Sequence, residues 1–403
     1  MVAVGRSHIL SWLRGRRADV AALAAIVATT CILAAIWADE TFWSPDALFY
    51  QQRVLEIRGA SEAQAQDEVW GGPLAAGFRA GDARLPLAEQ ALADPRWIPY
   101  SSQFTERRVL VPLIAAAIYP LAGSDSLTWV AFAGCFAIGP LLYWLLRQRL
   151  SPLASGGACV LCLLWPPLRW AFMPLTESWG LALAILALVA AVRWMDGKPR
   201  WLAVWIGSLL ALSFTRDLTV VPVVAALILA VLWRERRSAT LALTGVVAAL
   251  PAPLAFGASL RETLAYAFSG NRVPGDSSWS FVGSHYLGSL GETLRDDFDY
   301  LGQSQPRFLE GHAVLLLPLA VIFAIALVFL LAARRGGRDP WLTLTRASLL
   351  GSVAYVLLLP SFSYYRYELA LMPGAAAGLA LWISTLAESI PKPALRMFSG
   401  GRM

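Results

Sequence analysis

Apolar positions gather into long uninterrupted runs, not into the alternation of strands or the single stripe of a surface helix. The first run extends from about Val20 to Trp37, and further runs cover about 127–146, 153–171, 176–193, 200–214, 218–233, 239–256, 313–332, 342–359 and 369–386. Each approaches the ~20 helical residues that cross a hydrocarbon layer, so the pattern predicts an all-α, polytopic helical membrane protein with about ten transmembrane helices. Residues 1–403 are expected to form a single transmembrane domain, with polar stretches at 39–108 and 257–312. Val109 to Leu121 is a shorter apolar run containing Pro112 and Pro120, and is expected as an in-plane or re-entrant helix.

Basic residues orient these runs. Arg6, Arg14, Arg16 and Arg17 precede the first run, which is longer than a signal-peptide core, and Ile36 spoils a small-x-small cleavage site before Asp39, so a retained anchor is expected. If Val109 to Leu121 does not cross, then Arg147 and Arg149, Arg193 to Arg200, Arg234 to Arg237, Arg334 to Arg338 and Lys392 to Arg402 all fall on the cytoplasmic side. A crossing there would instead put Arg193, Lys198 and Arg200 outside. The first arrangement makes both termini cytoplasmic at the plasma (inner) membrane. It leaves 39–108, the turns at 173–177, 215–217 and 361–368, and the segment 257–312 on the exoplasmic face. In-plane helices are expected in 39–108, which mixes apolar Val54, Leu55, Ile57, Leu85, Leu87 and Leu92 with polar residues.

Composition agrees with this class: 57% of residues are hydrophobic, 15% are charged and the mean hydropathy is +0.57. A net charge of +6 raises the question of nucleic acid, but the basic residues sit in small clusters between apolar runs, so no nucleic-acid partner is expected. Cys31, Cys135, Cys159 and Cys162 lie inside apolar runs. The C-x-x-C of Cys159 and Cys162 is flanked by Val160, Leu161, Leu163 and Leu164, and is read as buried thiols, not a metal site.

Candidate chemistry starts where the first run ends. Trp37 to Tyr50 holds Asp39, Glu40 and Asp46 among Phe42, Trp43, Phe49 and Tyr50, an acid group inside an aromatic interfacial rim. Structural readings stand beside the functional one: Glu40 as a solvated helix-end acid, Asp46 as a helix cap after Ser44-Pro45, and Glu177 capping a helix with Thr176. Arg216 lies between two short runs in a turn that dips below the membrane surface, where it needs an anion, either Asp217 or a substrate phosphate. Arg366 poses the same choice with Glu368, whereas His285 and His312 are expected to hydrogen-bond locally. The Gly-, Ser- and aromatic-rich centre of 257–312 (Ser277, Ser278, Trp279, Ser280, Phe281, Tyr286) suits either a sugar-binding cover or a plain connector.

These features resemble the GT-C class of integral membrane glycosyltransferases, closest to the bacterial branch of aminoarabinose-transferase-like and protein-mannosyltransferase-like enzymes. The resemblance rests on DETF and PDALFY near the start (with its D-x-x-x-Y, Asp46 to Tyr50), Arg107-Arg108-Val-Leu-Val-Pro112, TES at 176–178, TRD at 215–217 and YYRYE at 364–368. It implies inverting transfer of a hexosyl or pentosyl group from a polyprenyl-phosphate donor to a glycan, lipid or protein acceptor on the exoplasmic face. Asp46 would be the general base. Asp39 or Glu40 would orient the acceptor or help hold a divalent cation, Mg or Mn. Arg107, Arg108, Glu177, Arg216, Asp217, Tyr365, Arg366, Glu368 and His285 would contact substrate. The chain departs from larger members in having only a short basic stretch after Leu386 where they carry a soluble domain. Two other classes compete. A lipid or solute transporter would place ionisable groups near the middle of its spans, and a non-catalytic envelope scaffold would need no acids and arginines at a common depth.

Overall fold

The computed structural model describes residues 2–38, 43–76, 93–255, 259–270, 272–303, 316–333, 338–358 and 368–389, and among these there is no strand. Helix α1 (Val2–Ala38) carries the basic prefix and the first apolar run. Helix α2 (Pro45–Ile57) starts where Ser44 accepts a hydrogen bond from Ala47 N at 3.5 Å, with Pro45 in the first turn, where a missing N–H costs nothing. Helix α3 (Glu62–Gly71) opens on a Ser61–Gln64 capping box. Helix α2 is buried on two sides. Ala47, Tyr50 and Val54 join the main core, while Leu48, Phe49 and Leu55 join a satellite with Val69, Trp70 and Trp97. Trp97 begins α4 (Trp97–Ser102).

Helix α5 (Leu110–Ala122) corresponds to the doubtful short run. Gly123, at φ +57°, turns the chain from it into α6 (Ser126–Arg147), a conformation that suits a residue without Cβ. Helix α7 (Pro152–Leu163) occupies only the first part of the run expected at 153–171, because Pro166 and Pro167 stop the α-helix and a 3-10 turn, Pro166–Phe172, follows. At ~1.5 Å per residue α7 is about 18 Å long, short of the ~30 Å hydrocarbon core. Helix α8 (Glu177–Met195) is the most enclosed element and packs against α6 and α9 (Trp201–Ser213). Then follow α10 (Val220–Trp233), α11 (Arg236–Ala249), α12 (Pro251–Ala255) and α13 (Leu260–Phe268), the last with a Ser259–Glu262 capping box.

Helix α14 (Trp279–Gln303) runs through the Gly- and Ser-rich stretch for which a sugar-binding cover and a plain connector were both open. Ser278 starts it by accepting from Phe281 N at 3.1 Å, and Val282 packs on Leu264 and Ala265 of α13. The chain closes with α15 (Leu316–Ala332), α16 (Pro340–Leu358) and α17 (Met372–Ser389). Helix α16 lies tightly on α10, where a Cβ on Gly351 would sit 2.6 Å from the Val221 carbonyl oxygen, and Gly378 of α17 likewise faces the Ala326 backbone of α15. Five described stretches are long and apolar enough to cross a membrane: Arg16–Ala38, Leu110–Arg147, Glu177–Met195, Arg236–Ala255 and Glu368–Ser389. Pro152–Leu163, Trp201–Ser213 and Asp217–Trp233 are shorter apolar helices. The chain is thus an all-helical protein of membrane type among its described residues.

Charged side chains collect at two ends of the bundle. At one end Arg149 bridges Asp196 at 2.6 Å and Asp339 at 3.1 Å, Arg147 meets Asp19 at 2.7 Å, and Arg338 meets Glu235 at 2.9 Å. Arg346 there donates to the Leu330 carbonyl at 2.8 Å, satisfying the end of α15. The opposite end holds the starts of α2, α6 and α8 and the end of α9. Both ends of α5 attach to it: Leu110 N donates to Phe214 O at 3.0 Å, and α6, entered directly after α5, accepts from Trp179 Nε1 at its Val130 carbonyl at 2.7 Å.

Candidate functional site

Arg107 and Arg108 sit just before α5, and the Leu110–Phe214 hydrogen bond sets them beside the turn that follows α9. In that turn Asp217 receives Arg107 Nη2 at 2.7 Å, and Arg108 Nη2 lies 3.6 Å away. The other Arg108 nitrogen, Nη1, donates to Tyr50 Oη at 2.8 Å and stands 3.8 Å from Asp46 Oδ2. Asp46 and Tyr50 are four residues apart on α2 and therefore share a face. The Tyr50 hydroxyl continues to Thr176 Oγ1 at 3.4 Å, and the next residue, Glu177, holds Arg216 Nη1 at 3.0 Å. Glu177 and Arg216 are each 2% exposed. Gly180, one turn further along α8, makes room for that arginine, since a Cβ there would sit 3.1 Å from Arg216 Cβ. Three arginines, three carboxylates and a buried tyrosine thus form one connected group.

Its electrostatics follow from the same contacts. Burial pushes the Tyr50 hydroxyl above its ordinary range while the Arg108 charge opposes the shift, so Tyr50 stays a neutral phenol. For Asp217 burial works towards protonation, but Arg107, Arg108 and Arg216 together hold it below the usual carboxylate range. Burial works against the Arg108 charge, but Tyr50, Asp217 and Asp46 outweigh it, and Arg108 remains a cation. Helix α13 leans over this end: Tyr266 Oη lies 2.9 Å from Ser101 Oγ and its ring stacks on Phe104 at 4.6 Å. Burial, opposed by the Ser101 hydrogen bond and aided by the Asp46 charge, pushes Tyr266 up to about 12.

Of the residues singled out in the sequence, Asp46, Arg107, Arg108, Glu177, Arg216 and Asp217 come together. Glu368 opens the turn Glu368–Leu371, which packs against Pro166–Phe172 and α16. His285 stands apart, exposed on α14, with Nδ1 2.9 Å from Phe281 O and its ring 4.2 Å from the Phe281 ring. Asp39, Glu40, Tyr365, Arg366 and His312 lie outside the described residues. Three local expectations change. Arg216 is bound by Glu177, not by the adjacent Asp217, because its extended backbone sends the two side chains different ways. Thr176 makes no capping bond to α8, since its φ of −94° and ψ of −3° are already helix-like, and its hydroxyl meets Tyr50 instead. The α2 cap is Ser44, and Asp46 in the first turn faces Arg108.

Tyr50 and Thr176 join the site although the sequence offered them only as the end of D-x-x-x-Y and as a helix cap; the i, i+4 spacing of Asp46 and Tyr50 was the signal for the first. A divalent cation finds a poor fit in this group as described. Asp217 takes Arg107 and Arg108, Asp46 faces Arg108, Glu177 holds Arg216, and no three His, Cys, Asp or Glu side chains gather as a donor set among the described residues. Scans against protein-family models and against curated proteins find no match for this chain.

Proposed function

We propose that the chain is a membrane glycosyltransferase that moves a sugar, with inversion, from a polyprenyl-phosphate donor to an acceptor at the exoplasmic face. The reading is carried by the joining of Asp46, Arg107 and Arg108 at one end of an apolar helical bundle, because a lipid-phosphate sugar presents its scissile bond at headgroup depth. Asp46 takes the proton from the attacking acceptor hydroxyl. The resulting oxygen forms a bond to the anomeric carbon as the carbon–phosphate oxygen bond breaks. The electron pair leaves with the polyprenyl phosphate, whose charge Arg107 and Arg108 stabilise. Tyr50 holds Arg108 in place, and Arg216 with Glu177 braces the wall behind it. No step is routed through a metal.

In this reading ten helices (α1, α6 to α11 and α15 to α17) cross the membrane, α2 to α5 lie along its outer face, and both termini are cytoplasmic. The attachment of both ends of α5 to a single end of the bundle supports the in-plane placement, and the grouping of Arg147, Arg149 and Arg338 at the other end supports the orientation. A cysteine at Ser278 is expected to react with an impermeant thiol reagent on intact spheroplasts, and one at Lys198 only after lysis; the reverse pattern removes the outer site.

The direct test is purified protein in liposomes with polyprenyl-phosphate sugars and a panel of glycan, lipid and peptide acceptors, scored by release of free polyprenyl phosphate. No release with any pair overturns the proposal. Arg107→Ala is expected to weaken donor binding about 10- to 100-fold, the range of one charge-assisted contact, and Arg107→Lys less, because lysine keeps the charge but loses the planar fork. Unchanged donor affinity in both variants would remove Arg107 from the phosphate contact.

A further inference from the structure

A cavity of about 350 Å³ borders the arginine group, sharing Tyr50 with it and lined by Glu106, the residue before Arg107. Its size falls in the range of small-molecule sites, ~300–1,000 Å³. One wall is the face of α2 that carries Phe49, Tyr50, Arg53 and Glu56, at helical spacing from Asp46. Along α2 the lining extends about 10 Å, from Phe49 to Glu56, towards the start of α3, and Asp46 lies one helical turn before its Phe49 end. Glu106, from the segment before α5, and Glu62, from the first turn of α3, also line it.

The charge of this lining differs from that of the group next to it. Glu56 is already engaged, by Arg53 at 2.8 Å and by Gln52 at 3.0 Å. Among the described residues neither Glu62 nor Glu106 has a cationic partner, so with one arginine against three glutamates the cavity is anionic. An anionic donor phosphate is repelled here and drawn instead to Arg107 and Arg108. The arginine group and the cavity, which meet at Tyr50, therefore suit two kinds of ligand, a phosphate at the arginines and a non-anionic group in the cavity. Phe49 and Tyr50, 5% and 1% exposed, close the inner side of the cavity.

We propose that this cavity holds the acceptor, and that the acceptor is a hydroxyl-bearing molecule carrying a positive charge, its hydroxyl at the Asp46 end and its charge between Glu62 and Glu106. The assignment rests on the transferase reading for the word acceptor, and on the cavity itself for the class of ligand. Negatively charged acceptors are disfavoured by the same glutamates.

The test needs no donor. The full-length protein in nanodiscs is titrated with three glucosides of matched size, bearing 2-aminoethyl, 2-hydroxyethyl or carboxymethyl groups. Binding is read from tryptophan fluorescence, since Trp70 and Trp97 pack on Phe49 at 4.9 and 5.9 Å. The aminoethyl compound is expected to bind roughly tenfold more tightly than the hydroxyethyl one, from two partly screened charge contacts, and the carboxymethyl one most weakly. In the double variant Glu62→Gln with Glu106→Gln the preference should collapse to about twofold or less while Tm stays unchanged. Equal affinities, a preference for the carboxylate, no binding of any of the three, or a preference that survives the double variant each overturn the proposal. A protein that keeps the preference but releases no polyprenyl phosphate overturns the transferase reading and leaves a cation-selective site; one that transfers sugar without the preference overturns the cavity assignment alone.

Discussion

Asp46→Asn is expected to lower sugar transfer by about 10²- to 10⁴-fold, the contribution of a positioned general base, with Tm close to that of the unchanged protein. Asparagine keeps the shape and part of the hydrogen bonding but cannot take up a proton from a hydroxyl. The fold should tolerate the change for two reasons. The Asp46 side chain is 28% exposed, and Arg108, 3.8 Å from it, keeps Tyr50 at 2.8 Å and Asp217 at 3.6 Å. The helix start does not depend on it either, because Ser44 provides the cap. Initial rates at saturating donor, alongside thermal unfolding in detergent, separate the outcomes. Full activity in Asp46→Asn moves the base to Asp39 or Glu40, and a large fall in Tm with proportionate loss of rate makes Asp46 a structural acid.

The second large effect concerns stability. Arg216→Ala leaves Glu177 as a carboxylate that is 2% exposed without its arginine, and is expected to cost about 3–5 kcal/mol. Replacing both partners by apolar residues of similar volume, Arg216→Met with Glu177→Leu, should recover most of that loss, because no buried charge is left over. Unfolding of the single and double variants, compared with donor affinity, decides between two roles. A bracing pair gives a large loss for the single variant, recovery in the double, and donor binding that changes little. A fall in donor affinity for Arg216→Ala at unchanged stability would instead make Arg216 a phosphate contact.

The difference between these two arginine roles was not legible in the sequence. A turn reading Thr215-Arg216-Asp217 offers Asp217 as the obvious neighbour, whereas the actual partner, Glu177, lies on another helix and meets it only through the α8–α9 packing. Apolar runs such as 127–146 and 176–193 were legible, because a long unbroken run has few ways to satisfy its backbone other than as a helix. Breaks within runs were harder. Pro166 and Pro167 announce the end of α7, but a hydropathy run averages over them. Composition left a cover and a connector open at α14, and the capping contact at Ser278 with packing on α13 gives a helix there despite Gly283, Gly288 and Gly291. The grouping of Asp46 with Arg107 and Arg108 was anticipated only as a shared depth. The Tyr50–Arg108 contact that joins them depends on how α2 lies against α5, which no local pattern encodes.

The pairing of Arg107 with Asp217 spans 110 residues, and this has a bearing on how the protein is made. With synthesis at about 5–20 residues per second, Arg107 and Arg108 emerge roughly 5–20 s before the acid that fixes them. During that interval α2 and α5 can settle together, with Asp46 and Tyr50 as the first partners for Arg108, but the site has no rear wall. That wall arrives with the α9–α10 hairpin, whose packing brings Asp217 to both arginines and hydrogen-bonds the start of α5 to Phe214. The group at the Asp46 end therefore becomes complete only after Asp217 has emerged, and until then Arg107 and Arg108 lack the acid that fixes them.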